Sequence, residues 1–140
     1  MNVMTKEKIY LTQNQEKVIR DKYLRGDKSV EDMFFRVAYT IALAEITFTD
    51  KLNDVLEGVS HEVIEYSYNG TPSKLILLHK NINEYSKREE NFHKFMKNLK
   101  NLYEKEPYLK EIVDKWCEEF YNIMARFEFL PNSPTLMNAG

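Results

Sequence analysis

Near the end of the chain two prolines bracket an amide and a hydroxyl, Pro131-Asn132-Ser133-Pro134, and Thr135-Leu-Met-Asn-Ala-Gly140 follows. Each proline pushes its predecessor toward extended backbone, so Leu130 and Ser133 are held out of helix and the loop is stiff. Asn, Ser and Thr on such a loop offer short side chains and free backbone N–H groups, a set suited to gripping an anionic oxygen. Leu136 and Met137 would pack the segment down, while Asn138-Ala-Gly140 is small enough for close approach. The same residues also describe a proline-stiffened linker after a helix. On residue types alone, that plainer reading is the stronger.

Other groupings carry less chemistry. Glu90-Asn-Phe-His93 has the spacing that puts a carboxylate and an imidazole on one helical face, but a di-iron bundle needs two such motifs and two further carboxylates. Only one is present, and His61 and His79 lack matching neighbours, so no metal site is expected. The single cysteine, Cys117, excludes an internal disulfide framework and any multi-cysteine zinc site, and it reads as an inert thiol on the inner face of a helix. There is no GxGxxG, Walker-type loop or G-x-S-x-G elbow. A net charge of −2 leaves no basic field for a nucleic-acid backbone. No apolar run is long enough to span a membrane, and the first residues lack a signal peptide's apolar core, so a cytoplasmic protein is expected.

The elements that position these residues are mostly helical. Thr12-Gln-Asn-Gln15 fits a capping box that starts a first helix, with Val18, Ile19 and Tyr23 as its apolar stripe and Gly26 placed to end it. Ser29 caps a second helix, with Glu31 and Asp32 in its first turn and apolar residues at 30, 33, 34, 37, 38, 41 and 42. Small residues at Ala38, Ala42 and Ala44 leave room for a close helix partner. A short third helix is expected from Asp50 to Val59. Glu62–Tyr68 and Lys74–His79 flank Asn69-Gly70, a hairpin signal, although the leucine-rich second arm would serve equally as a turn of buried helix. From about Ile82 a helix carries the stripe Phe92, Phe95, Met96, Leu99, Leu102, Tyr103. Pro107 should break it and open a last helix bearing Ile112, Val113, Trp116, Phe120, Tyr121 and Met124, which ends near Phe127. The expected fold is mainly α: about five helices, a small β-hairpin near 62–79, and an extended C-terminal segment.

Phe129-Leu-Pro-Asn-Ser-Pro-Thr-Leu-Met-Asn-Ala-Gly140 resembles the segment that opens the α/β catalytic barrel in the large chain of ribonucleotide reductases. Its Asn-Ser-Pro-Thr-Leu-Met-Asn-Ala-Gly form is most like the adenosylcobalamin-dependent, class II enzymes. Upstream, Leu11-Thr-Gln-Asn14, Asp21-Lys-Tyr-Leu24 and Ser29-Val-Glu-Asp-Met-Phe-Phe-Arg-Val-Ala38 are similar to the family's first two helices. Trp116-Cys-Glu-Glu-Phe-Tyr-Asn-Ile-Met124 is similar to the helix that precedes the motif. The stretch from about Thr47 to Lys110 carries no such motif and is expected to be lineage-specific.

The resemblance implies a helical N-terminal domain over 1–128, with 129–140 as the start of the catalytic barrel. It assigns Ser133 to contact with the substrate ribonucleotide, as a hydroxyl on a rigid turn suits a ribose or phosphate oxygen. The family makes deoxyribonucleotides for DNA synthesis by radical reduction of the ribose 2′-carbon, using a thiyl-radical cysteine and a redox cysteine pair. None of these is expected here: the first redox cysteine would lie shortly beyond Gly140, and Cys117 lies before the motif. Adenosylcobalamin and a reducing thiol are implied for the assembled enzyme, with none bound by this chain alone. The implied partner is the remainder of the reductase catalytic chain, without which this piece should be inactive. A split gene, an intervening sequence and a truncation all fit that expectation. The regulatory ATP-cone of some reductases has no room before a resemblance that begins at about residue 11. The alternatives are the N-terminal piece of a class I large subunit and a non-catalytic helical interaction domain.

Overall fold

In the computed structural model, residues 8–24 and 26–126 are described. Five α-helices and one antiparallel hairpin appear among them: α1 (Gln13–Lys22), α2 (Val30–Leu43), a 3₁₀ helix (Ala44–Phe48), α3 (Leu52–Val55), β1 (His61–Tyr68), β2 (Thr71–Leu78), α4 (Tyr85–Lys105) and α5 (Pro107–Ala125). The mainly helical class and the small hairpin are as expected. The chain divides into two compact units, one of Met1–Ile46 with Glu106–Gly140, the other of Thr47–Lys105.

The first unit is built on α2 and α5, which pack together. Ser29 Oγ accepts a hydrogen bond from the Asp32 amide at 3.1 Å, and Glu31 and Asp32 occupy the first turn, so α2 starts where its cap dictates. Val30, Met33, Phe34, Val37, Ala38, Ala42 and Leu43 are buried along one stripe. Facing residues on α5 recur every three or four positions: Leu109, Val113, Cys117, Tyr121 and Met124, all buried. Ala38 and Ala42 are fully buried, and their small side chains let a neighbouring helix approach closely. Pro107 takes the first turn of α5, where its missing N–H costs no intrahelical bond. The helix ends at Ala125, two residues before Phe127.

The capping box at α1 forms in full: the Gln15 amide donates to Thr12 Oγ1 at 3.2 Å, and the Thr12 amide donates to Gln15 Oε1 at 3.0 Å. Two expectations for this helix fail. Its stripe is not a core stripe, because α1 buries none of its residues and Val18 is exposed. Gly26 has the left-handed φ of +73°, but α1 stops earlier, at Lys22, with Tyr23 as a right-handed cap whose amide reaches Ile19 O. The α1–α2 turn is held instead by Arg36, whose guanidinium reaches both Asp27 carboxylate oxygens at 3.2–3.3 Å and Tyr23 O at 3.4 Å.

In the second unit the expected third helix shrinks to the single turn of α3, and Gly58 follows it at φ +71°. The hairpin is tighter than its sequence boundaries suggest. Thr71-Pro72-Ser73 join the second strand, so Asn69 and Gly70 alone make the turn at φ +50° and +78°. Both signs are those of a two-residue type I′ connection, which Asn-Gly adopts at least cost. The leucine-rich arm is therefore strand, with Leu75 and Leu77 exposed. The register pairs Ile64 with Leu75, Tyr66 with Ser73 and Tyr68 with Thr71.

α4 starts at Tyr85, three residues after Ile82, and is rotated from its expected stripe at the N-terminal end: Asn91 is buried while Phe92 is exposed. Leu99 and Tyr103 are buried as expected. The reason is polar. Asn91 Oδ1 accepts from the Ser60 amide at 2.7 Å, and Asn91 Nδ2 donates to Ser60 O at 3.0 Å. Two turns further along, Asn98 Nδ2 donates to Val55 O at 2.8 Å and Glu57 O at 2.9 Å. These asparagines satisfy the α3–β1 connection, whose backbone groups have no ladder to join.

Candidate functional site

Ser133, the one residue assigned to a substrate, lies outside the described residues, as does the rest of 129–140. The structure supplies the scaffold leading to it. α5 runs to Ala125 on the buried α2 stripe, and its cap residue Arg126 donates its amide to Asn122 O and Met124 O. A helix anchored along its whole length by core side chains gives the following segment a fixed point of departure.

The other candidate groups are spread over the two units rather than gathered. Glu90 and His93 lie on α4, and both are exposed; the structure buries Asn91 between them instead. His61 Nδ1 is 2.7 Å from Val59 O, and His79 Nδ1 is 3.1 Å from Asn91 Nδ2, so each imidazole is engaged at the base of the hairpin. Among the described residues no group of three or more His, Cys, Asp or Glu side chains could hold a metal ion. Cys117 is buried on α5, on its inner face as expected. Glu45, in the 3₁₀ helix, is the carboxylate whose environment changes its chemistry: burial raises its pKa above the ordinary value.

The clefts among the described residues are open. One, in the first unit, lies between residues 8–11 and the start of α2, and includes Lys8, Arg20 and Glu31. Its cations are engaged: Arg20 pairs with Glu16 at 2.9 Å, and the Lys8 ammonium sits 5.3 Å from the Tyr10 ring centre. Glu31 Oε1 accepts from the Ile9 amide at 3.2 Å. Such a site holds the chain together better than it holds an anion. A second cleft, in the second unit, runs between Thr47–Asn53 and the Pro72–Ile76 part of β2. Neither is lined by a histidine.

Sequence reasoning missed Asn91, Asn98 and the Arg36–Asp27 pair. The asparagines had a usable signal, since both are polar residues seven apart on the face that also carries Phe95 and Leu102. The pair had none, because nine residues and a turn separate its partners.

A helical core built on two long helices, with polar ties closing its loops, is the class of domain that the fold defines. Residues 10–140 match the family described as ribonucleotide reductase, all-alpha domain. The chain belongs to that family, the N-terminal all-α domain of the reductase large chain, and is thus part of an oxidoreductase. No curated protein and no solved structure matches it. No described helix is long and apolar enough to cross a membrane.

Proposed function

We propose that this domain serves a class II, adenosylcobalamin-dependent ribonucleotide reductase of the cytoplasm, in which 129–140 open the catalytic barrel and Ser133 contacts the substrate ribonucleotide. The observation that carries this reading is Phe129–Gly140, whose Asn-Ser-Pro-Thr-Leu-Met-Asn-Ala-Gly run resembles the class II form. Bound adenosylcobalamin would supply the radical, from a site outside the described residues. The role of this chain is to bind and orient. Proline at 131 and 134 disfavours helix at Leu130 and Ser133, a sequence bias that would let the Ser133 hydroxyl and adjacent amides meet a ribose or phosphate oxygen at little ordering cost. The cysteine chemistry belongs to the barrel. Cys117 has no part in it, being buried in the α2–α5 core, where a thiol is inert. The domain alone is inactive and needs the remainder of the catalytic chain.

The test is co-expression with that remainder, followed by a ribonucleotide reduction assay with and without adenosylcobalamin. Turnover that depends on the cofactor is expected. Turnover that needs instead a separate oxygen-dependent radical subunit would move the chain to class I. Ser133→Ala in the reconstituted enzyme should raise KM or lower turnover, since a hydrogen bond to a charged group contributes roughly 1.5–3 kcal/mol. Unchanged kinetics would remove Ser133 from the site.

A further inference from the structure

The hairpin presents one face that no other described element of its own unit covers. Directly paired residues share a face in an antiparallel ladder, so Ile64, Tyr66 and Tyr68 of β1 lie beside Leu75, Ser73 and Thr71 of β2, with Glu62 and Leu77 at the base. Five of these are large and exposed: Ile64 at 38%, Leu77 at 40%, Tyr66 at 48%, Leu75 at 49% and Tyr68 at 70%. The opposite face is the half-buried one, with Val63, Ile76 and Leu78 partly covered and the charged pair Glu65 and Lys74. An isolated two-stranded hairpin is marginal in water, and one that turns its apolar face outward is more so.

We propose that this face is a homotypic docking surface, seating the same face of a second copy of the chain about a two-fold axis. Shape points to a second copy. Along the tip the β1 column is large, Tyr66 and Tyr68, while the β2 column beside it is small, Ser73 and Thr71. That leaves hollows bordered by the tyrosines and Thr71, Pro72 and Ser73. A two-fold rotation sets the tyrosines of one copy over the small column of the other, and the reverse, as an isologous contact requires. Charge agrees. Symmetry places groups near the axis opposite their own kind, and from Ile64 to the tip this face carries no charge. Its one charged residue, Glu62, lies at the base and is paired with Lys80 at 3.6 Å. A lipid surface is a poor alternative, because the face lacks the cations that interfacial elements use. Area is sufficient but small. The five side chains present about 500 Å² per copy, so the pair covers about 1,000 Å², the lower end for a specific interface. The dimer is therefore a weak, concentration-dependent one.

Sedimentation equilibrium of the full chain, from micromolar to near-millimolar concentration, should show a monomer–dimer equilibrium. Tyr66→Ser with Tyr68→Ser should weaken it about 100-fold or more, since central aromatic anchors dominate such interfaces. Leu75→Ser should weaken it independently, whereas Glu65→Gln with Lys74→Gln, on the other face, should leave it unchanged. Thermal melts followed by circular dichroism check folding; if the tyrosine variant fails to fold, Leu75→Ser decides alone. A chain monomeric throughout overturns the proposal, as does a dimer indifferent to both the tyrosine and leucine variants. Loss of co-purification with the downstream reductase chain in the tyrosine variant of a monomeric protein would assign the face to that chain and also overturn it.

Discussion

The two units of this chain are held together by different physics. In the first, α2 and α5 bury a continuous apolar stripe on each helix, with Met33, Phe34, Val37, Leu109, Val113, Tyr121 and Met124 all but inaccessible. In the second, the buried apolar residues are few, chiefly Val55, Leu56, Val59, Leu99 and Tyr103, and the hairpin turns its tyrosines outward. There the connections are secured by side-chain-to-backbone bonds from Asn91 and Asn98. The contrast does not mark a limit of the family, whose match runs through both units. The segments whose motifs resemble reductases, 11–38 and 116–140, fall in the first unit, whereas Thr47–Lys105, expected to be lineage-specific, lies inside the family match over residues 10–140 as well. A catalytic scaffold needs a dense core that tolerates no slack. A unit set between two of its helices needs only to fold locally and close its own loops.

That comparison can be broken, beginning with the largest effect. Tyr121→Ala removes the bulkiest fully buried side chain, on α5, and should cost about 3–5 kcal/mol in urea unfolding. Hydrogen exchange should then rise throughout α2 and α5. A loss below about 1 kcal/mol would mean that the helix pair is not the principal source of stability. Asn91→Ala strips the Ser60 amide and carbonyl of a buried partner and should cost about 1–3 kcal/mol, with faster exchange confined to Thr47–Lys105. Equal loosening of α2 would sink the distinction between the units.

The smallest effect concerns Glu45. Its raised pKa means that the folded state holds the proton more tightly than the unfolded one, so stability is full below the ordinary carboxylate range and falls as pH rises through the raised value. Glu45→Gln should accordingly raise the melting temperature slightly at pH 7 and make no difference near pH 4. A reversed sign would show that the charged form is the one the fold favours.

Local signals were legible wherever one short segment carried the whole instruction. Thr12 with Gln15, Ser29 with Asp32, Asn69-Gly70 and Pro107 each specify a boundary through bonds or torsions within four residues, and each boundary lies where it was read. The α2 and α5 stripes were legible because a 3.6-residue period survives unchanged into a buried face. The same reasoning failed at Val18 and Phe92, since periodicity names an apolar face but not whether anything covers it. At Asn91 the spacing to Asn98 marks a shared polar position on the face, but it does not name the backbone groups, around Ser60, that the amide satisfies.

What the sequence by itself determined is most of the elements, the family, and the segment from Phe129 to Gly140 on which the proposed substrate role of Ser133 rests. Only the tertiary structure decided that α2 pairs with α5 across some sixty intervening residues, that those residues form a unit of their own, and that the hairpin's tyrosines face outward. Caps and turns are satisfied within a few residues, so the chain spells them out. Coverage depends on what arrives from elsewhere, and no local pattern records that.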